Sequence, residues 1–318
     1  MNAPFQTIPM ASEPSLSPSA GAVASTAADI SRLVRPRIAV MVLATVATAA
    51  WLTAGRALDG AGLVVVLLGT LLVAASSSIA NQIVERHTDR LMPRTAARPL
   101  ATGRLGVRDA WIFSAGLLLV GLVITVAGGG WATSAASLST WLLYVLVYTP
   151  LKRVTPLNTA VGAVAGALPV AIGWFAAGGP GRLQAGDAAG GIAAGALATV
   201  LYLWQFPHFM AIAWLYRKQY SDAGLRMLTV VDPGGLRAAG QALAAALAMV
   251  PVSLLLAVPS ASVWMFLVAA VASVAYVAAT IRFAVARDDP SARGLLLVSL
   301  ASLAVILVAA IVCGGPLS

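Results

Sequence analysis

The chain has 318 residues, of which 60% are hydrophobic and only 10% are charged. So large an apolar share excludes an ordinary soluble domain, and charge-free runs of about twenty residues are typical of transmembrane helices. The net charge of +9 does not indicate nucleic-acid binding, because the basic residues are not clustered on a soluble domain, and the single cysteine, Cys313, supplies neither a disulfide framework nor a cysteine metal site.

The first 31 residues have the composition of a disordered tail. They are rich in Ser, Ala and Pro and carry only two charges, Glu13 and Asp29. Such a segment cannot bury enough apolar surface to fold. It lacks the basic start of a signal peptide and the arginines of a transit peptide, so we expect it to stay uncleaved. Residues 32–318 are predicted to form one membrane domain.

Nine apolar runs fill the rest of the chain and predict an all-α bundle of nine transmembrane helices. The glycines at 128–130 mark the weakest division, between the third run and the fourth. The runs lie at roughly 38–54, 61–80, 110–128, 133–148, 158–178, 188–206, 238–258, 262–284 and 294–314.

Basic residues are distributed unevenly among the connections. If the N-terminus and the segments after the second, fourth, sixth and eighth runs share one side of the membrane, that side holds eighteen of the 20 Lys and Arg residues. The opposite side holds only Arg56 and Arg182. Since basic residues accumulate in cytoplasmic connections, this asymmetry predicts a cytoplasmic N-terminus and, with nine spans, an external C-terminus.

The most informative stretch follows the second run, where nine charged residues lie between positions 85 and 109. On a helix that turns about 100° per residue, Asn81, Glu85 and Asp89 lie on one face. An amide and two carboxylates are oxygen ligands for a hard cation such as Mg²⁺, which also takes substrate phosphates. Carboxylates at the edge of an apolar helix are costly, so their presence indicates a functional site. The alternative to a functional site is that the arginines are ordinary basic residues of a cytoplasmic connection and that the acidic residues only pair with them at i, i+4 spacing.

The helix of the second run is expected to continue beyond the apolar core. From Ala61 to Asp89 it would be about 43 Å long, against a hydrocarbon core of about 30 Å, which places the polar face at the membrane surface. Pro93 is expected to end this helix. Arg94 and Arg98 come next and suit bidentate contacts to phosphate oxygens. Together these residues predict a site for a metal-bound diphosphate.

A short basic turn lies between the fourth and fifth runs. Lys152 and Arg153 are enclosed by Pro150 and Pro156, which indicates a shaped loop. Loop residues on a rigid scaffold often carry function, and we predict that both side chains bind diphosphate. The alternative is that they only anchor the end of a helix.

The sixth run ends in an aromatic cluster, Trp-Gln-Phe-Pro-His-Phe, at 204–209. It is aromatic enough to line a pocket for a planar acceptor. We predict that Trp204 and His208 bind the acceptor and that His208 takes part in catalysis, since histidine serves as base and as ligand. A hydrogen-bonded structural histidine is the alternative. The other histidine, His87, is expected to be solvated.

Three stretches of the sequence resemble the UbiA-like intramembrane prenyltransferases. The matching segments are Asn81-x3-Glu85-x3-Asp89 with the arginine run at 94–100, Tyr-Thr-Pro-Leu-Lys-Arg at 148–153, and the aromatic cluster at 204–209 together with Ala223-Gly224 and Met227-Leu228. The carboxylate motif alone is typical of the whole family, whereas the second and third stretches together resemble its haem branch. The resemblance begins at Arg35-Pro36-Arg37 and extends through the ninth run.

This resemblance implies a nine-helix membrane fold with a cytoplasmic active site in a bacterial inner membrane. It implies Mg²⁺-dependent transfer of a farnesyl group from farnesyl diphosphate to a vinyl group of haem B, and hand-off of the product to a haem A synthase or terminal oxidase. It places the metal at Asn81, Glu85 and Asp89, and the diphosphate at the two arginines and the basic turn already described. Tyr220 joins the acceptor residues.

The sequence departs from the family pattern near Tyr220. Lys218 and Gln219 stand where an acidic residue is expected, which puts a second metal site in question. The nearest carboxylate is Asp222, about 60° around a helix from Gln219. We predict that Asp222 is the second metal carboxylate; the alternatives are that Lys218 supplies charge directly or that both lie on a solvated loop.

Other functions remain open on the sequence alone. A prenyltransferase for a quinone or another aromatic acceptor is the first, although the aromatic cluster at 204–209 argues against it. A secondary transporter is the second, but the spans carry no charge at mid-depth. A non-catalytic assembly factor for an oxidase is the third, and it would have no need of the carboxylate face.

Overall fold

The structure is a computed structural model that describes residues 28–315. These residues form helices joined by short connections and contain no β-strand, so the predicted all-α membrane fold is confirmed. The described part of the first helix, α1, is 28–34. The others are α2 Pro36–Ala54, α3 Gly60–Arg90, α4 Pro99–Thr102, α5 Val107–Leu142, α6 Thr149–Leu151, α7 Asn158–Ala167, α8 Pro169–Ala176, α9 Gly179–Gln184, α10 Ala189–Leu215, α11 Arg217–Asp222, α12 Leu228–Val231, α13 Leu236–Leu254, α14 Val263–Ala286 and α15 Asp289–Cys313.

Only the end of the predicted tail falls within the described residues. The prediction for 1–27 lies outside them. Residues 28–31 belong to α1 and are therefore helical, which corrects the predicted boundary at 31. The physical reason is that Asp29 forms an ion pair with Arg104 at 2.8 Å, and that Leu33 packs among buried side chains.

Eight helical segments of the described chain are long and apolar enough to cross a membrane. One of them, Val107–Leu151, has 45 residues and contains Gly130 with φ 78° and ψ 178°, which is not helical. Ser134 donates a hydrogen bond to the Leu122 carbonyl at 3.1 Å, although residues twelve apart on a straight helix are separated by about 18 Å. The chain therefore folds back at Gly130. The number of transmembrane helices in the described residues is eight or nine, depending on whether this segment is counted once or twice, so the predicted number of nine stays a prediction. The orientation of the termini also stays a prediction.

Close packing of glycines fastens α3 to α5. A Cβ added to Gly69 would lie 2.8 Å from the Gly121 carbonyl oxygen, and one added to Gly121 would lie 2.8 Å from that of Gly69. Gly128 approaches Gly62 O in the same way. Small residues let membrane helices approach closely where no hydrophobic effect drives them together. α3 continues to Arg90, as the sequence predicts. Its polar end is therefore part of a helix that packs closely against α5.

The second half of the chain packs around α10. Its largest buried side chains include Tyr276, Phe283 and Met210, which belong to one apolar cluster shared by α10, α13, α14 and α15. Tyr276 donates a hydrogen bond from its hydroxyl to the Trp204 carbonyl at 2.6 Å. This bond lies next to Pro207, which removes a backbone donor inside α10.

The basic connections meet at one end of the bundle. Gln82 of α3 donates to the carbonyls of Arg32 and Leu33, at 3.2 and 2.9 Å, and so holds α1 against α3. Across the site, the Arg226 amide donates to the Lys152 carbonyl at 2.7 Å. These contacts place the connections that carry most of the charge around a common opening.

Candidate active site

A cavity of about 620 Å³ joins a charged region to an apolar one. Small-molecule sites occupy roughly 300–1,000 Å³, so the volume suits a ligand site. The apolar region is lined by aromatic side chains of α10 and by aliphatic side chains of α2, α3 and α15. The charged region is lined by two acidic and five basic side chains: Glu85, Asp89, Arg35, Arg37, Arg94, Arg98 and Lys152.

The predicted polar face of α3 is present, and all three of its side chains are buried. Glu85 and Asp89 line the cavity, whereas Asn81 lies behind its wall and donates a hydrogen bond to Thr149 Oγ1 at 3.0 Å. That bond joins α3 to the segment that leads to Lys152.

Glu85 is paired with Lys152 across 67 residues of sequence. Lys152 Nζ lies 2.8 Å from Glu85 Oε1, and the two side chains are only 15% and 11% exposed. Burial alone would lower the pKa of Lys152, but the Glu85 carboxylate outweighs it and holds that pKa above its ordinary value. The ammonium also lies 4.4 Å from the centroid of the Tyr148 ring. Lys152 is therefore a fixed positive charge facing the cavity.

Asp89 is paired with Arg98 in the same way. Arg98 Nη1 lies 2.6 Å from Asp89 Oδ2, and the carboxylate side chain is 1% exposed. The turn that brings Arg98 back onto α3 is held by Thr95, whose hydroxyl donates to the Asp89 carbonyl at 3.0 Å. Glu85 and Asp89 thus each have a basic partner.

The oxygen atoms left on this face fit a hard cation. Asn81 Oδ1 and Asp89 Oδ1 are buried and have no hydrogen-bond partner among the described residues. Within 28–315 no group of three or more Asp, Glu, His or Cys side chains is close enough to hold a metal alone. Mg²⁺ suits such a sparse donor set, because it binds through one or two carboxylates and takes its other ligands from water and substrate phosphates.

Arg94 and Tyr220 meet at the edge of the charged region. Arg94 Nη2 donates to the Tyr220 hydroxyl at 3.3 Å, and its guanidinium lies 4.7 Å from the centroid of the Tyr216 ring. Both Arg94 and Tyr220 line the cavity. Tyr220, which the sequence assigns to the acceptor, is therefore in contact with a residue that the sequence assigns to the diphosphate.

The aromatic region is organised by Trp204, His208 and Ser299. Trp204 and His208 lie one turn apart on α10, with ring centroids 4.5 Å apart and planes inclined by 23°. The Trp204 indole donates to the Ser299 carbonyl at 2.7 Å, and His208 Nδ1 lies 2.8 Å from Ser299 Oγ. One residue of α15 thus holds both rings.

Besides Asn81, two predicted site residues do not line the cavity. Arg153 is exposed and its nearest hydrogen-bond partner is the Val84 carbonyl at 3.4 Å, so it does not stand beside Lys152 as the sequence suggests. Asp222 is exposed as well. The reason is rotational: Tyr220 of the same short helix faces the cavity, and a residue two positions later is rotated by about 200°. The structure therefore does not bring Asp222 to the metal carboxylates, and Lys218 is exposed beside it.

Sequence reasoning missed Arg35 and Arg37. Both line the cavity, and neither side chain forms an ion pair or hydrogen bond within the described residues. Arg35 has a left-handed backbone, with φ 52° and ψ 66°, and precedes the first proline of α2. Such a conformation is costly for a residue with a side chain and clusters at functional sites. Burial, and then the positive charge of Arg35, lower the pKa of Arg98, so the two guanidiniums lie within electrostatic range of each other.

A sequence comparison decides the family. The UbiA prenyltransferase family matches residues 42–306, which is most of the chain. This chain belongs to the UbiA prenyltransferase family. It is a multi-pass membrane enzyme, and most of the residues that line its cavity lie in the part that matches the family, whereas Arg35 and Arg37 precede it.

Curated and solved relatives agree with this assignment. The protoheme IX farnesyltransferase of Rhodopirellula baltica is 39% identical over 288 residues, which cover 86% of this chain and 96% of that protein. A solved digeranylgeranylglyceryl phosphate synthase superimposes with a TM-score of 0.73 at 16% identity, covering 91% of this chain and 99% of its own. A UbiA homologue from Archaeoglobus fulgidus, solved with GPP and Mg²⁺, superimposes with a TM-score of 0.58 at 20% identity, covering 89% and 99%. The two structures share the fold of this UbiA protein.

Proposed function

We propose that this UbiA protein transfers a farnesyl group from farnesyl diphosphate to a vinyl group of haem B and forms haem O. The observation that carries the proposal is the shape of one cavity, which joins a cation-rich region to an aromatic and aliphatic one. A prenyl diphosphate has the same division, with an anionic head and an apolar chain. The identity with protoheme IX farnesyltransferases over most of the chain supports haem B as the acceptor.

The bond changes define what the residues must do. The C1–O bond of farnesyl diphosphate breaks, and diphosphate leaves with the electron pair. C1 then bonds to the terminal carbon of a vinyl group, and water adds a hydroxyl to the neighbouring carbon and releases a proton. The residues must neutralise the leaving group and keep the allylic cation away from bulk water.

The charged region neutralises the leaving group. Five basic and two acidic side chains line it, so three positive charges remain to face a diphosphate. Arg98 and Lys152 are each held by one carboxylate and line the cavity, where their other N–H groups would bind the diphosphate. Asn81, Glu85 and Asp89 would hold Mg²⁺, which stabilises the charge that develops on the leaving diphosphate.

The apolar region holds the chain and the acceptor. Aliphatic side chains of α2 and α3 line the cavity beyond the carboxylates and give the farnesyl chain a water-poor surface. Trp204 and His208 lie at the acceptor side, where a flat porphyrin packs against aromatic rings. The enzyme acts in the bacterial inner membrane and passes its product to a haem A synthase or a terminal oxidase.

The test is product formation by the purified full chain. It is incubated with haem B, farnesyl diphosphate and Mg²⁺, and products are identified by mass. We expect a haem whose mass is increased by one farnesyl group and one hydroxyl group. Prenylation of a quinone or another aromatic acceptor in place of haem would favour the alternative acceptor class. Uptake of substrate into vesicles without any prenylated product would favour a transporter.

A further inference from the structure

The hydrogen bonds around His208 determine which ring nitrogen carries the proton. The Ser299 hydroxyl has one proton and donates it to the Leu296 carbonyl, at 2.7 Å. It therefore has no proton left for His208 Nδ1, which lies 2.8 Å from the same oxygen. Nδ1 must then donate its own proton to Ser299 Oγ, and the neutral imidazole keeps a lone pair on Nε2.

Nε2 belongs to a side chain that lines the cavity, and the only side-chain hydrogen bond of His208 among the described residues is made by Nδ1. A histidine that ligates a metal almost always donates its other ring N–H to an oxygen acceptor, which fixes its tautomer and orientation. His208 and Ser299 have this arrangement. The stack on Trp204 and the bond from Trp204 to the Ser299 carbonyl keep the ring from rotating.

The chain offers no other imidazole to this cavity. It has two histidines, and His87 is exposed and does not line the cavity. The single cysteine, Cys313, does not line it either.

We propose that Nε2 of His208 is an axial ligand of the acceptor's haem iron and that Ser299 positions it. This inference rests on the proposed function. The Nε2 lone pair forms a coordination bond to iron; no proton is released, because Nε2 carries none, and no electron is transferred. Ligation fixes the porphyrin at one point beside the Trp204 ring, so that rotation about the Fe–N bond is the main freedom left for aligning a vinyl group with the farnesyl carbon.

The test measures haem spectra as well as turnover. The full chain is purified with a tag that contains no histidine, placed in lipid nanodiscs, and titrated with haem B without farnesyl diphosphate. Absorption and electron paramagnetic resonance spectra report the axial ligand. We expect histidine ligation in the parent protein, its loss in His208→Ala, and its return when imidazole is added to that variant.

Two further variants separate ligation from packing. His208→Met keeps a side chain of similar length and is expected to give the spectrum of thioether ligation. Ser299→Ala is expected to keep histidine ligation but weaken haem binding by about 10- to 100-fold, the usual cost of removing a partner behind a metal ligand. Ser302→Ala is the matched control, because Ser302 lies on the same helix as Ser299, donates to the Ala272 carbonyl of α14, and does not line the cavity.

An iron-free acceptor completes the test. Protoporphyrin IX has the same ring and vinyl groups, and we expect His208→Ala to bind it as tightly as the parent does, which also shows that the variant is folded. Equal loss of haem and protoporphyrin binding, or an unchanged ligand spectrum in His208→Ala, would overturn the ligand role while leaving farnesyl transfer intact. If the parent binds neither porphyrin and does not farnesylate haem, the proposed acceptor itself is wrong.

Discussion

The two regions of the cavity are built in opposite ways. The charged region takes its side chains from α3, from the start of α2 and from three connections, and its main contacts are ion pairs, Glu85 with Lys152 and Asp89 with Arg98. The aromatic region takes its side chains from long helices, where the Ser299 carbonyl and hydroxyl hold the two stacked rings of α10. Ion pairs can exchange partners when a diphosphate and a metal enter, whereas the aromatic rings are already in place.

The two regions therefore differ in how they are organised before substrate binds. Under the proposed function, the charged region would bind an anionic group that must leave at each turnover, so its basic residues would need alternative partners between cycles. The aromatic region would bind a rigid, flat acceptor and would gain from being rigid itself, because a preorganised site loses less entropy on binding. Substitutions should therefore affect the two substrates differently.

The largest effect is expected at the carboxylates. Glu85→Gln or Asp89→Asn removes a charge that the proposed Mg²⁺ would need and leaves a buried basic partner without its carboxylate. We expect kcat to fall by about 100- to 1,000-fold, as when one group that stabilises transition-state charge is lost. Steady-state farnesyl transfer over a range of Mg²⁺ concentrations measures it.

Asp109→Asn is the control for the carboxylates, since Asp109 is exposed and outside the cavity. Parent-level turnover in either carboxylate variant, once folding is confirmed, would contradict the metal role. So would full activity in the presence of a chelator.

The next effect is expected at Arg35. Arg35→Gln removes a guanidinium that has no partner within the described residues, and we expect kcat/KM for farnesyl diphosphate to fall roughly 10- to 100-fold, the equivalent of one hydrogen-bonded charge. Arg32→Gln is the matched control, because Arg32 is 51% exposed in its side chain and lies outside the cavity. Equal effects of the two substitutions would mean that Arg35 acts only through long-range charge.

A smaller effect is expected at Trp204. Trp204→Phe keeps an aromatic ring but removes the indole N–H that donates to the Ser299 carbonyl. We expect KM for haem B to rise roughly 2- to 10-fold, as for one neutral hydrogen bond, and KM for farnesyl diphosphate to stay constant. A rise in KM for farnesyl diphosphate without a rise in KM for haem B would show that the two regions are coupled or wrongly assigned.

The smallest effects are expected at the two exposed residues that the sequence assigns to the site. Arg153→Gln and Asp222→Asn should each change the kinetic constants by less than about twofold, because charges on solvated loops contribute little. The Mg²⁺ dependence of turnover is the measurement for Asp222. A raised Mg²⁺ requirement in Asp222→Asn would restore it as a second metal carboxylate.

Features that arise from periodicity and charge can be predicted from the sequence. The face formed by Asn81, Glu85 and Asp89 arises from a helical repeat of four residues, and the structure shows it intact. Contacts that depend on distant segments cannot be predicted in this way. Ser299 is one serine in an apolar helix, 91 residues after His208, and no local pattern distinguishes it.

Two other differences between the sequence predictions and the structure have physical causes. The cytoplasmic excess of basic residues is enough to explain the arginines beside Pro36, so the sequence does not reveal that Arg35 and Arg37 line the cavity. The orientation of side chains on short connections, Arg153 and Asp222 among them, is set by how the connection packs, and no repeat of the sequence determines it.

The glycine contacts between α3 and α5 have a consequence for product exit. The backbones at Gly69 and Gly121 are so close that these two helices cannot separate or slide without breaking the seam. We therefore expect α3 and α5 to stay together during turnover. Because the farnesylated product is bulkier than haem B, we expect the opening that releases it into lipid to form between other helices, while the carboxylates of α3 keep their place from one cycle to the next.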